Sequence, residues 1–110
     1  MAQTKRRVQR PEIVGIAGDF AKKTFTFATE LFIVGRDEEQ CEFVILGPCI
    51  SRRQCSIQFD KTVNMYKVTD YSMNGTFVDE RRRLLSGITQ LVPRGTVLSL
   101  GTAENKIWLR

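Results

Sequence analysis

The chain has 110 residues, 42% of them hydrophobic, which is enough to bury the core of one self-supporting domain. It contains no histidine, so the commonest zinc ligand and the commonest general base are both excluded. Residues 1–10 carry +4 of the net charge of +5, so the nearly neutral remainder does not indicate a nucleic-acid-binding surface.

The N-terminal half predicts short β-strands after a basic lead-in. Residues 1–11 are basic and poor in apolar side chains, and we interpret them as a flexible segment or linker before a domain at 12–110. The runs that follow are rich in β-branched and aromatic residues and end at turn signals, as half-buried strands do. They cover residues 12–17, 24–28, 31–34 and 42–46.

The C-terminal half continues this pattern. Alternation of apolar and polar residues predicts strands at residues 55–59, 65–69, 76–78, 96–100 and 106–109, with Leu98 and Leu100 in the core. Residues 81–85 predict either a turn or a short strand. About nine to eleven short strands separated by turns indicate an all-β fold, either an antiparallel sandwich or a barrel.

The sequence also bears on the compartment and on bound groups. No apolar run approaches the roughly 20 residues of a membrane helix, so we expect no membrane insertion. The N-terminus lacks the apolar segment of a secretory signal, and a cytoplasmic location is expected. Cys41 and Cys55 lie in strand-like contexts and are interpreted as buried apolar residues, which suits a reducing compartment. No metal site and no cofactor are expected.

Three polar loops follow strand ends and carry groups suited to an anion. The first is Gly35-Arg36, the second contains Ser51, and the third contains the turn signal Asn74-Gly75. A phosphate on a hydroxyl side chain has three strong acceptor oxygens and nearly two negative charges. A guanidinium, a hydroxyl and the N–H groups of a turn are the donors that hold it.

The order of these loops resembles the forkhead-associated (FHA) domain family, whose recurring motif is Gly-Arg, Ser-x-x-His and Asn-Gly. The matching segments are Gly35-Arg36, then Ile50-Ser51-Arg52-Arg53-Gln54, then Asp70-x-Ser72-x-Asn74-Gly75-Thr76-Phe77-Val78. The resemblance covers roughly residues 12–110. It implies an antiparallel β-sandwich of about eleven strands, with binding loops at one end, that recognises phosphothreonine in an extended peptide.

The resemblance also implies the roles of individual residues. Arg36 and Ser51 are expected to contact the phosphate, with Arg52 as a further contact, and Asn74 is expected to hydrogen-bond the peptide main chain. The residues expected to support the structure of the loops are Gly35, Gln54, Asp70, Ser72 and Gly75. The implied partner is a phosphothreonine-containing protein or peptide, a substrate of a Ser/Thr kinase, and the implied role is a protein-interaction module in kinase signalling.

Two positions depart from the family pattern. Gln54 stands where the family usually has histidine, which ties the serine loop to the Asn-Gly loop. Glutamine offers a donor and an acceptor, and is expected to replace the tie. Met73 stands where serine or threonine commonly precedes the asparagine, so one hydroxyl near the phosphate is missing and binding is expected to be weaker.

Three alternative functions differ in the sequence features that they require. A degenerate domain of this family would make phosphate-independent protein contacts. A nucleic-acid-binding β-barrel is suggested only by the basic lead-in and the arginine triplet at 81–83, so no specific nucleic acid is expected as a partner. An enzyme is not expected, because no nucleophile is flanked by a base and no metal-ligand spacing is present.

Overall fold

The computed structural model describes residues 10–18, 21–26, 30–47 and 49–110. These residues form eleven strands: β1 Glu12–Ala17, β2 Thr24–Thr26, β3 Phe32–Gly35, β4 Phe43–Val44, β5 Cys55–Asp60, β6 Met65–Asp70, β7 Thr76–Val78, β8 Arg82–Arg83, β9 Gln90–Pro93, β10 Thr96–Leu100 and β11 Thr102–Leu109. In the described part of the chain, no helix is long and apolar enough to cross a membrane.

The strands form two sheets that pack as a sandwich. The six-stranded sheet has the order β2-β1-β11-β10-β7-β8, and the five-stranded sheet has the order β4-β3-β5-β6-β9. The predicted all-β sandwich is therefore confirmed. All strand pairs are antiparallel except β3 with β4, which run parallel, so the predicted antiparallel arrangement is incomplete at that one sheet edge.

The alternating residues of the two sheets build one core. Ile13, Leu98 and Ile107 from the six-stranded sheet meet Ile57 and Val68 from the five-stranded sheet, and all five are fully buried. Leu98 and Leu100 are core residues, as predicted, and so are Cys41 and Cys55. Burial follows a period of two in β1 and in the second half of β11, where Ile13, Ile107 and Leu109 are buried between partly exposed neighbours, because successive side chains point to opposite faces.

The predicted strands agree with the structure except at a few ends. Residues 76–78 and 96–100 form strands with the predicted bounds, whereas 42–46 shortens to Phe43–Val44 and 106–109 extends back to Thr102. The last two residues of the run 24–28 lie outside the described residues, as does most of the basic lead-in. The sequence did not predict β9, and it left β8 open as a turn or a strand.

The topology gathers the polar loops at one end. Strands β3, β5 and β6 are consecutive antiparallel neighbours, so the end of β3, the start of β5 and the end of β6 share one edge of the sheet. Strand β7 of the six-stranded sheet also starts at this end of the sandwich, where Thr76 pairs with Leu100 at the end of β10. At the opposite end, the Tyr66 hydroxyl donates to the backbone carbonyl of Arg110 at 2.6 Å.

Candidate functional site

Arg36 lies at the loop end of the sandwich, directly after β3. Its backbone N–H donates to the Ser51 carbonyl at 3.1 Å, which holds it beside the serine loop. In its side chain, Nε donates to the Ile50 carbonyl at 2.9 Å. This bond fixes the plane of the guanidinium and leaves the two terminal nitrogens without a hydrogen-bond partner among the described residues. Both are therefore available to an anion.

Gly35 allows β3 and the serine loop to approach closely. A Cβ atom at this buried position would collide with the backbone carbonyl of Arg52. That carbonyl also accepts the N–H of Asp37 at 3.2 Å and the Cys41 thiol at 3.1 Å. The side chain that glycine lacks would push the serine loop away from Arg36.

Ser51 presents an uncommitted hydroxyl proton. Its Oγ accepts a hydrogen bond from the backbone N–H of Met73 at 3.0 Å, which joins the serine loop to the Asn-Gly loop. A hydroxyl has one donor in addition to its acceptor capacity. Because the described residues take only the acceptor side, the O–H can donate to a bound anion.

Gln54 connects the serine loop to the Asn-Gly loop through its side chain. The side chain is fully buried. Its Oε1 accepts from the Ser51 N–H at 3.0 Å, and its Nε2 donates to the Gly75 carbonyl at 2.8 Å and to Thr76 Oγ1 at 3.1 Å. A glutamine thus makes the connection that the family assigns to histidine, through neutral groups alone.

Asp70 organises the turn that leads to Asn74. Its Oδ1 accepts from the Ser72 N–H at 3.1 Å, from Ser72 Oγ at 2.6 Å and from Thr76 Oγ1 at 2.8 Å. Ser72 Oγ in turn accepts from the Gly75 N–H at 2.8 Å. Asp70, Ser72 and Thr76 are all buried, so these bonds hold the turn from beneath.

Asn74 is exposed at the tip of this turn, and Gly75 follows it with φ +98, a conformation that favours glycine. The Asn74 Nδ2 donates to the Cys49 carbonyl at 3.4 Å, a long bond that a stronger acceptor can displace. Gly101, in the turn between β10 and β11, packs against the same carbonyl so closely that a Cβ would overlap it.

These side chains line one open groove of about 710 Å³. The predicted contacts Arg36, Ser51, Arg52 and Asn74 are all in its wall. The described lining residues include no acidic side chain: Arg36, Gln40, Cys49, Ile50, Ser51, Arg52, Arg53, Tyr71, Met73 and Asn74. No described carboxylate forms a salt bridge with Arg36, Arg52 or Arg53. The described lining of the groove is therefore positively charged.

An acidic hollow of about 530 Å³ adjoins the groove and shares Arg36 and Arg52 with it. Asp37, Glu38 and Glu39 line this hollow. The Glu39 N–H and the Gln40 amide donate to Asp37 and hold the pKa of its carboxyl below the usual value. Asp37 stays ionised, so the anion-binding region ends on this side.

Sequence reasoning missed two contributions to the site. Arg83, in the segment predicted as a turn or a short strand, donates from Nη2 to the Met73 carbonyl at 3.3 Å and packs beside Gly75. Arg53 lies over the ring of Tyr71, with Cζ 4.5 Å from the ring centroid. Both contacts join residues distant in sequence, and no local pattern marks them.

The cysteines and carboxylates of the described residues bear on the chemistry that the site can carry out. No group of three His, Cys, Asp or Glu side chains there is placed to hold a metal ion. Burial raises the pKa of the Cys41 and Cys55 thiols, which disfavours a reactive thiolate at either position. What the groove provides is a set of fixed hydrogen-bond donors, an arrangement suited to binding.

The fold matches solved structures of FHA domains. An FHA domain of the CT664 protein from Chlamydia trachomatis is 22% identical, with a TM-score of 0.78 over 92% of this chain and 96% of that one. The FHA domain of an Arabidopsis thaliana hypothetical protein is 19% identical, with a TM-score of 0.80 over 99% and 93%. A MEK1 FHA domain in complex with a phosphothreonine peptide of HOP1 is 24% identical, with a TM-score of 0.74 over 94% and 99%.

No curated protein sequence matches the chain. The model of the FHA domain family, in contrast, matches residues 32–101. This range is more than half of the chain, and it contains all three polar loops and the residues that connect them. The chain belongs to the FHA domain family.

Proposed function

We propose that this protein is a phosphothreonine-dependent interaction module, which binds partner proteins that a Ser/Thr kinase has phosphorylated. One observation carries the proposal: the guanidinium of Arg36 and the hydroxyl of Ser51 line the same groove, and both keep donors unused. Arg36 is oriented through Nε, and Ser51 is held through its acceptor side. A phosphate has the charge and the acceptor oxygens to occupy those donors.

The roles follow from the available groups. Arg36 and Ser51 bind phosphate oxygens, and the exposed guanidinium of Arg52 adds a third donor from the same wall. Asn74 exchanges its long bond to the Cys49 carbonyl for a bond to the peptide main chain. The resulting mode, an extended peptide held through its phosphate and its backbone, is that of the arginine-based phosphopeptide readers.

Met73 lowers the affinity without removing the site. Its side chain is 85% exposed and carries no donor, whereas its backbone N–H already supports Ser51. A neutral hydrogen bond contributes about 0.5–1.5 kcal/mol, so one hydroxyl fewer weakens binding by about 2–10-fold. The charged donors of Arg36 and Arg52 remain.

The proposal extends to setting and domain organisation. The solved complex of a relative with a phosphothreonine peptide supports this ligand class for the fold. We place the function in cytoplasmic kinase signalling, with residues 12–110 as the binding domain and residues 1–11 as a basic linker. Recognition of a modified partner, rather than catalysis, is the role that the groove's fixed donors support.

The experiment is calorimetric titration with a phosphothreonine peptide library and with matched unphosphorylated peptides. Arg36→Ala and Ser51→Ala are each expected to lower phosphopeptide affinity by about 10–100-fold, because each removes a charge-assisted bond of about 1.5–3 kcal/mol. Both residues lie in loops, so the unfolding transition is expected to change little.

Lys61→Ala and Ser86→Ala serve as matched controls, because both residues are exposed and outside the groove. Equal binding of phosphorylated and unphosphorylated peptides would contradict the proposal and favour a phosphate-independent protein contact instead.

A further inference from the structure

Arg53 lines the groove, but the proposed function gives this residue no contact with the bound phosphate. It comes from the serine loop, and Tyr71, over which it lies at 4.5 Å, comes from the loop after β6. Both side chains are exposed and both line the groove with Arg36 and Ser51. No described carboxylate forms a salt bridge with Arg53.

The contact with Tyr71 gives the Arg53 guanidinium a fixed orientation. An arginine stacked on an aromatic ring is attracted to the ring face, and its N–H groups point outward in the guanidinium plane. Fewer side-chain rotamers are then lost when an anion binds. Tyr71, which is 43% exposed, adds a hydroxyl at the same wall of the groove.

The charge around the groove is unequal. The hollow that shares Arg36 and Arg52 with the groove is lined by Asp37, Glu38 and Glu39, which repel an anion. Neither Arg53 nor Tyr71 belongs to that acidic hollow, and the described lining of the groove itself contains no acid. A second negative charge on a bound peptide is therefore stabilised beside Arg53 and disfavoured beside the acidic hollow.

We infer that Arg53 and Tyr71 form a second anion subsite in the groove. It selects phosphothreonine peptides that carry a further anionic group, either an acidic side chain or a second phosphate, near the phosphothreonine. The inference rests on the proposed function. Arg53 binds the second anion directly, and Tyr71 positions the guanidinium.

The test uses alanine-based peptides with a central phosphothreonine and a single aspartate at each other position in turn. At one or two positions, aspartate is expected to raise wild-type affinity about fivefold, the effect of an exposed ion pair. Phosphoserine at the same position distinguishes a second phosphate from a carboxylate, and its larger charge is expected to raise affinity further. The gain is expected to shrink in high salt.

Substitutions test whether Arg53 and Tyr71 cause the aspartate gain. Arg53→Gln is expected to abolish the aspartate gain, measured as the ratio of this variant's affinities for the peptides with and without aspartate. Tyr71→Leu is expected to reduce the gain in part. Arg53→Lys keeps the positive charge but not the planar stacking on Tyr71, and it is expected to retain only part of the aspartate gain. Lys61→Gln, an equal loss of charge outside the groove, is expected to leave the gain intact.

Each contrary result has a separate meaning. If no aspartate position improves wild-type binding, the second subsite does not exist. If Arg53→Gln weakens all phosphothreonine peptides equally, Arg53 supports the loops or the first phosphate instead. If the wild type binds no phosphothreonine peptide, or if it binds the unphosphorylated forms equally well, the proposed function fails and the subsite fails with it.

Discussion

The side chain of Gln54 allows the sharpest test of how the recognition loops are held. We consider Gln54→Met, which retains the length of the side chain and removes both polar groups. The substitution deletes one bond to each of the Ser51 N–H, the Gly75 carbonyl and Thr76 Oγ1. Of these three partners, the Gly75 carbonyl keeps the N–H of Gly101 at 2.9 Å.

The hydrogen bonds that the former partners of Gln54 keep determine how much stability the substitution removes. Thr76 Oγ1 keeps its bond to Asp70, so only the Ser51 N–H loses the one partner that the structure gives it. An unsatisfied donor costs about 1–3 kcal/mol, and the other two lost bonds add about 0.5–1.5 kcal/mol each at most. Since the methionine recovers some apolar burial, we expect the free energy of unfolding to fall by about 2–4 kcal/mol.

Denaturant unfolding followed by circular dichroism measures this change. Lys61→Met is the control, because it places the same methionine at an exposed position outside the groove. The control is expected to change stability by less than about 0.5 kcal/mol. If the two variants lose equal stability, the bonds of Gln54 do not hold the loops, and the interpretation of this residue as a structural tie is wrong.

Three further predictions concern neighbouring features of the structure. Gln54→His is expected to fold with a loss of about 1 kcal/mol, because imidazole replaces two of the three bonds. Its acceptor nitrogen must stay unprotonated, so the contribution is complete above pH ~6.5 and lost on acidification, and pH-dependent denaturation should show an inflection that the wild type lacks. Gly35→Ala is expected to destabilise by about 1–3 kcal/mol and to weaken phosphopeptide binding, because the new methyl group displaces the serine loop; equal affinity would contradict this. Burial raises the pKa of Tyr66 to about 12, so its contribution is complete below pH ~10 and is lost as pH rises through 12. Tyr66→Phe should remove that alkaline slope and cost about 0.5–1.5 kcal/mol, and an unchanged slope would refute the assignment.

Much of the fold was predictable because the strands obey period-two alternation. Cys55, Ile57 and Phe59 are buried in β5, and Gln58 between them is partly exposed. β9 was missed because Gln90–Pro93 has only one buried apolar residue, Val92, and ends in a proline that ordinarily argues against a strand. β8 consists of two exposed arginines that pair with β7, so no buried apolar side chain marks this strand in the sequence.

The site was predictable where a motif exists and unpredictable where contacts are tertiary. Arg36, Ser51, Arg52 and Asn74 line one groove, as the order of the loops indicated. The contact of Arg53 with Tyr71 was not predicted, because it depends on how two loops lie relative to each other in the folded protein. The spacing of residues in the sequence does not determine that arrangement.

The double use of the Gly75 carbonyl has a consequence for how the protein binds. It accepts from Gln54, which precedes β5 of one sheet, and from the N–H of Gly101, which lies between two strands of the other. The tip that meets a ligand is thus clamped by both halves of the sandwich. The turn is already ordered in the folded protein, so little conformational entropy is lost when a ligand binds.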